Sequence, residues 1–152
     1  MDFAALAATV GAKVYLPGSE GYTESTGSYF SAFENEVQPA GIVQPTSTEE
    51  VVEVIKAIRE PGLAGKVKVA IRGGGHTPWA GAANIHDGLV IDLRKLAGVK
   101  VDQEKKMVSI GAGERWGSVY KTLAEQGLAT YGGRVSSAGC AGLILGGELT
   151  PI

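Results

Sequence analysis

Between Gly41 and Ile71 the hydrophobic period of the chain changes twice, and this constrains the fold more than any other feature. Gly41-Ile42-Val43 reads as a short strand closed by Gln44-Pro45. Ser47 with Glu50 three residues later makes a capping box. Val51, Val54, Ile55 and Ile58 then form one apolar helical stripe, ended by Pro61-Gly62. Val67 to Ile71 reads as a buried second strand. A β-α-β unit predicts two parallel strands joined by a right-handed crossover. Its second strand runs straight into Arg72-Gly73-Gly74-Gly75-His76-Thr77. Such sheets bind ligands at the carboxyl ends of their strands.

Three contiguous glycines let the backbone turn sharply and approach a ligand closely. Successive N–H groups in such a turn form an anion-binding nest. A phosphate-bearing cofactor with an imidazole beside it is one reading; a tight surface turn with a chance histidine is the other. The spacing is not the dinucleotide G-x-G-x-x-G, and no Gly-Lys-Ser/Thr follows as in a Walker A loop.

The flanking sequence fits one domain. Phe3, Leu6, Ala7 and Val10 keep helical spacing. Pro17 to Gly27 is rich in Gly, Ser and Thr and reads as a loop. Tyr29, Phe30 and Phe33 read as an aromatic packing cluster. After the glycine loop the pattern turns to β: Leu89 to Leu93 is a strand entered through His86-Asp87-Gly88, and 99–101 with 107–110 is a hairpin. Trp116, Val119, Tyr120 and Leu123 mark a second amphipathic helix, with Gly127 fitting the position just past its end. Gly132 to Gly147 is a second glycine-rich segment. Trp79 and Trp116 read as packing residues, and His86 as a solvated turn residue. The fold class is α+β. A small β-α-β lobe is followed by a mixed or antiparallel sheet lobe, with a cleft lined by glycine-rich loops between them.

Composition narrows the function classes. With 44% hydrophobic and 20% charged residues in 152, the chain can build a core and is not disordered. Fourteen basic against 16 acidic residues, a net charge of -2, give no electrostatic case for nucleic acid or an anionic membrane. The 23 glycines cluster without a collagen-like period, suggesting several backbone segments gathered around one ligand or one tight packing site. Cys140 is the single cysteine, so no internal disulfide can form. No run approaches the roughly 20 apolar residues that span a bilayer. The N-terminus shows no secretory signal, which leans towards the cytoplasm.

Four segments, in order, resemble the FAD-binding (PCMH-type) domain of the vanillyl-alcohol-oxidase family, in particular its berberine-bridge-enzyme-like branch of flavin oxidases. They are Gly41-Ile42-Val43-Gln44-Pro45 with its helix start, Arg72 to Thr77, Gly88 to Leu93, and Gly139-x-x-Gly142-x-x-x-Gly146-Gly147. The resemblance implies an FAD-binding domain over 41–147, a helix-and-loop lead-in over 1–40, and an atypical tail over 148–152. It implies that the loop Arg72, Gly73, Gly74, Gly75, His76 and Thr77 cradles the FAD pyrophosphate. His76 takes the position of the family histidine that is commonly bonded to the 8α-methyl of the flavin, or else only hydrogen-bonds nearby. Arg72 either offsets phosphate charge or fixes the loop by bonding to carbonyls. Val135, Ser136, Ser137, Gly139 and Gly142 match the second flavin-contacting segment. Val135 stands where some members carry a second, cysteinyl attachment, so a single attachment at most is implied. Cys140 reads as a small buried thiol.

Family oxidases are much longer. The expectation is therefore an FAD-binding oxidoreductase domain, truncated before the substrate domain that covers the flavin ring and supplies the catalytic base. No residue here can be assigned as that base. Glu148, where the family usually has a third glycine, leaves an alternative. The chain could be a non-redox protein that binds a small molecule or a partner chain in the old cofactor cleft. An apolar face left uncovered by the missing domain would favour self-association.

Overall fold

In a computed structural model, described over residues 3–60 and 65–147, the strands at 41–44 and 89–92 form the centre of a sheet. In chain order the elements are α1 (Phe3–Thr9), β1 (Lys13–Tyr15), α2 (Glu20–Thr26), α3 (Ala32–Asn35), β2 (Gly41–Gln44), α4 (Thr48–Ile58), β3 (Val69–Arg72) and β4 (Leu89–Asp92). A 3-10 turn (Leu93–Lys95), β5 (Val99–Asp102), β6 (Met107–Ile110), α5 (Trp116–Ala124) and α6 (Cys140–Leu145) follow.

The first sheet has the order β1-β2-β4-β3. β2 and β3 both run parallel to β4, and β1 is antiparallel to β2. The two strands of the β-α-β unit are thus parallel, as the sequence predicts, but β4 lies between them. This explains the burial. β2 and β4 are covered on both faces and buried throughout, whereas β3 is an edge strand with Ile71 exposed. The expectation of a buried strand at 67–71 is corrected accordingly. Edge position, not local apolarity, decides exposure.

Leu6, Val10, Val43, Val54, Leu89 and Ile91 form the core of this lobe, bringing α1 and α4 against the sheet. Ser47 caps α4, its hydroxyl accepting from the Glu50 N–H at 3.2 Å, while the Glu50 carboxylate reaches back to the Thr46 N–H at 2.6 Å. α4 ends at Ile58; the Pro61-Gly62 stop and Glu148 lie outside the described residues.

The second lobe is the antiparallel β5–β6 hairpin with α5 packed on it. Trp116, Val119 and Leu123 are buried against Val99, Val101 and Val108, so the helical stripe read from sequence is the packing face. Gly127 takes φ +68° just past α5, a left-handed conformation that favours glycine.

Three further sequence expectations are overturned. Residues 20–26 form α2 rather than a loop; Ser19 caps it, and its buried face is Tyr22, Ser25 and Thr26. Of the aromatic cluster only Tyr29 is buried, whereas Phe30 and Phe33 are 64% and 66% exposed. Trp79 is 77% exposed and is not a packing residue.

Candidate functional site

The loop that leaves β3 and the segment that enters α6 face each other across a cleft of about 370 Å³. Gly73 to Thr77 line one wall, with Ala82 and Ala83 beyond them. Ala138, Gly139, Gly142 and Leu143 line the other wall. Two glycines of the loop are required by close approach. A Cβ on Gly74 would sit 2.5 Å from the Gly139 backbone nitrogen. Gly75 has φ +64°, and a Cβ there would lie 2.7 Å from Arg72 Nε. The N–H groups of Gly75, His76 and Thr77 donate to no group among the described residues. Three successive free donors at a glycine turn have the chemistry of an anion nest.

Arg72 does not line this cleft. It is fully buried beneath the loop, where Nη1 donates to the Ser25 carbonyl at 2.7 Å and Nη2 to the Ser28 carbonyl at 2.8 Å. Its guanidinium lies 3.5 Å from the centre of the Tyr29 ring. Of the two roles open from the sequence, this geometry is the one that fixes the loop through carbonyls.

β3–β4 pairing sets Asp92 beside Arg72, and Asp92 is buried with it. Asp92 accepts from Arg94 Nη2 at 2.6 Å, Ser25 Oγ at 2.9 Å and Gln44 Nε2 at 3.1 Å. Burial alone would raise its carboxyl, but the hydrogen bonds and charge of Arg94, aided by Arg72, hold it below the usual carboxylate range. Burial lowers the Arg72 guanidinium and pushes the Tyr29 phenol well up.

The second wall is held by backbone. Trp116 N–H donates to the Ala138 carbonyl at 3.0 Å, Gly117 N–H to the Ser136 carbonyl at 2.9 Å, and Cys140 N–H to the Glu114 carbonyl at 2.9 Å. The Trp116 ring lies against Gly132 and Gly133, leaving no room for a side chain at either. Arg115 joins the walls: Nη1 donates to the Ser137 carbonyl at 3.0 Å and Nη2 to the Gly74 carbonyl at 3.1 Å.

His76 stands where the walls meet. Its Nε2 is 2.9 Å from Ser137 Oγ, and its ring stacks on Phe30 with centroids 4.1 Å apart and planes 20° apart. Ser137 therefore joins the site directly. Ser136 is exposed and contributes its carbonyl to Gly117, and Val135 is exposed outside the cleft lining. Cys140 is buried in the second core. His86 lies apart, its Nδ1 accepting from the Gln38 N–H at 3.3 Å.

Sequence reasoning missed the groups that brace the loop from the chain's first quarter. Phe30 N–H donates to the Gly75 carbonyl at 3.0 Å. The buried Glu34 carboxylate accepts from the Gly81 and Ala83 N–H groups, each at 2.9 Å, and so fixes the turn beyond His76. No local pattern marks these residues; the Ser19 and Ser31 caps are the only signals that 19–36 folds. Among the described residues no cluster of His, Cys, Asp or Glu could hold a metal, and no helix is long and apolar enough to cross a membrane.

Residues 39–151 match the family model of the FAD binding domain. An FAD-dependent monooxygenase of Aspergillus calidoustus is 38% identical over 141 residues, 93% of this chain and 27% of its own length. The chain thus spans about a quarter of that relative. Among solved structures, a variant of the berberine-bridge-enzyme-like protein 1 of Physcomitrella patens matches with a TM-score of 0.80 at 26% identity, covering 94% of this chain and 30% of that one. A glucooligosaccharide oxidase of Acremonium strictum, described as carrying a 6-S-cysteinyl, 8α-N1-histidyl FAD, matches with a TM-score of 0.79 at 27% identity, covering 97% of this chain and 30% of that one. The match of the family model to most of the chain, on a fold shared with berberine-bridge-enzyme-like flavoenzymes, makes the protein a member of the FAD-binding domain family.

Proposed function

We propose that the cleft holds FAD, with its pyrophosphate on the glycine loop and His76 as the covalent tether to the flavin 8α-methyl. The observation that carries this reading is the run of N–H groups at Gly75, His76 and Thr77 that have no partner among the described residues, on a loop that lines the cleft. The residues fit the group. Gly73 and Gly142 leave open backbone where a ligand can approach: a Cβ on Gly73 would meet nothing closer than 3.5 Å, and one on Gly142 nothing within 4 Å. Gly139, Gly142 and Leu143 lie on the opposite wall, with Ser137 bonded to His76 where the walls meet. Val135 offers no nucleophile, so attachment is single.

When bound, FAD supplies two-electron redox chemistry. The residues present do the holding: Arg72 fixes the loop from beneath, Arg115 sets the spacing of the walls, and Glu34 fixes the turn at 81–83. This chain spans 27% of the Aspergillus monooxygenase's length and carries residues that would cradle the cofactor.

The test is the visible spectrum of the purified chain incubated with FAD. Flavin absorbance that stays with acid-precipitated protein, and is lost in His76→Ala, is the expected outcome. A folded, colourless protein whose melting temperature FAD does not raise overturns the reading, and favours a cleft reused for a different small molecule or a partner chain.

A further inference from the structure

Resting on the reading of His76 as the tether, we infer that Ser137 is the positioning residue that decides which imidazole nitrogen reacts. The His76 ring is constrained on one face and at one edge. Phe30 stacks on the face, and Ser137 Oγ takes the edge at Nε2, 2.9 Å away. Ser137 is itself fixed, because its carbonyl accepts from Arg115 Nη1 at 3.0 Å, the same guanidinium that binds Gly74 two residues before His76. Nδ1 has no hydrogen-bond partner among the described residues.

A neutral imidazole carries one N–H and one lone pair. When Ser137 Oγ accepts from Nε2–H, the lone pair is on Nδ1, the nitrogen left open. The hydroxyl then does two things at once. It selects the tautomer whose Nδ1 is nucleophilic, and it sits on the proton that must leave when that nitrogen bonds to carbon. In the step, His76 Nδ1 forms a bond to the 8α carbon while one methyl C–H bond and the Nε2–H bond break. The two protons and two electrons released pass to the isoalloxazine ring, from which dioxygen takes them as hydrogen peroxide.

A second hydroxyl residue preserves this geometry and an alanine does not, so the pair Ser137→Ala and Ser137→Thr isolates the role. The apo chain is mixed aerobically with FAD, and both total and acid-stable flavin are followed with time. Per flavin bound, Ser137→Ala is expected to form the acid-stable species roughly tenfold more slowly than the unmodified chain, the scale of one lost hydrogen bond. Ser137→Thr should restore the rate. Equal rates in the unmodified chain and Ser137→Ala overturn the inference and leave the tether standing; no acid-stable flavin in the unmodified chain overturns the tether, and the inference with it. Nitrogen-15 shifts of the His76 ring in the apo chain provide a test that needs no flavin. The expected result is a proton on Nε2, redistributed between the two nitrogens in Ser137→Ala. A proton on Nδ1 in the unmodified chain, or no change in the variant, overturns the inference.

Discussion

The glycine loop after β3 rests on buried charge, whereas the segment that faces it rests on backbone hydrogen bonds and an indole. Among the described residues, every buried polar or charged side chain lies between Ser25 and Asp92. Arg72, Asp92 and Glu34 have no exposed surface, and each is matched to partners drawn from distant parts of the chain. Beyond Asp92 the buried side chains are Trp116, Val119, Leu123 and Cys140. Buried ion pairs are geometrically demanding and costly to break. The first wall is therefore stiff and specific. The second wall depends instead on close packing, at Gly132 and Gly133 against Trp116 and at Gly139 against Gly74.

The largest effect should come from removing the charge on which the first wall stands. Arg72→Met leaves the Ser25 and Ser28 carbonyls without their donor and Asp92 with only Arg94 as its cation, and should cost about 3–5 kcal/mol in chemical denaturation. Arg72→Lys should recover only part of it, because an ammonium cannot reproduce the guanidinium fork or its position over Tyr29. A cost below that of a typical surface change would show that the wall is held by something other than Arg72. Next is the contact between the walls. Gly74→Ala and Gly139→Ala each place a Cβ about 2.5 Å or less from the other's backbone nitrogen, and each should cost about 1–3 kcal/mol and widen the cleft. Because both substitutions open one contact, their double variant should cost less than the sum. Additivity, measured by denaturation of the four proteins, would mean that the walls do not touch as described.

The same contrast explains what the sequence made legible. Second-lobe elements follow local rules. The i, i+3, i+4, i+7 spacing from Trp116 finds α5 and its buried face, and alternation finds β5 and β6. The first lobe is only half legible. Capping and periodicity locate α4, yet nothing local says that β4 lies between β2 and β3, because strand order is set by which strands can be covered on both faces. α2 stayed hidden because its buried face is Tyr22, Ser25 and Thr26 rather than an apolar stripe. Two of those side chains look polar enough for a loop, and Ser25 is buried because it serves Arg72 and Asp92. The glycine loop itself could be read as a nest. Its supports in Phe30, Glu34 and Arg115 could not, since each acts through contacts 41 to 49 residues away in sequence or through stacking on His76.

A titration separates the walls more gently. The Asp92 carboxyl is held below its ordinary value of about 3.9, so the stability it contributes is present above that pH and is lost as pH falls through its lower, folded-state value. Below about pH 4, Asp92 should account for a loss of at most about 1.4 kcal/mol per pH unit. Asp92→Asn should remove that slope while lowering stability at neutral pH. No carboxylate is buried in the second lobe among the described residues, so fluorescence of Trp116 in a Trp79→Phe background should report no separate acid transition there. An acid slope unchanged in Asp92→Asn would move the buried charge effect to another group.

The smallest change in stability should come from Arg115, whose guanidinium bonds to the backbone of both walls. Its guanidinium is half-buried and its acceptors are two neutral carbonyls, at Ser137 and Gly74. Water at the cleft mouth can replace part of those hydrogen bonds, so Arg115→Gln should cost only about 1 kcal/mol. Ligand retention is the more sensitive readout. Without Arg115 the backbone that carries Ser137 Oγ and the backbone that leads to His76 are no longer referred to one rigid group. Flavin binding should then weaken more than stability does, with the Asp92 acid slope unchanged. If Arg115→Gln lowers stability and flavin affinity in equal proportion, the guanidinium is an ordinary packing element of the second lobe. If it lowers affinity alone, the spacing of the two walls is what the cofactor reads.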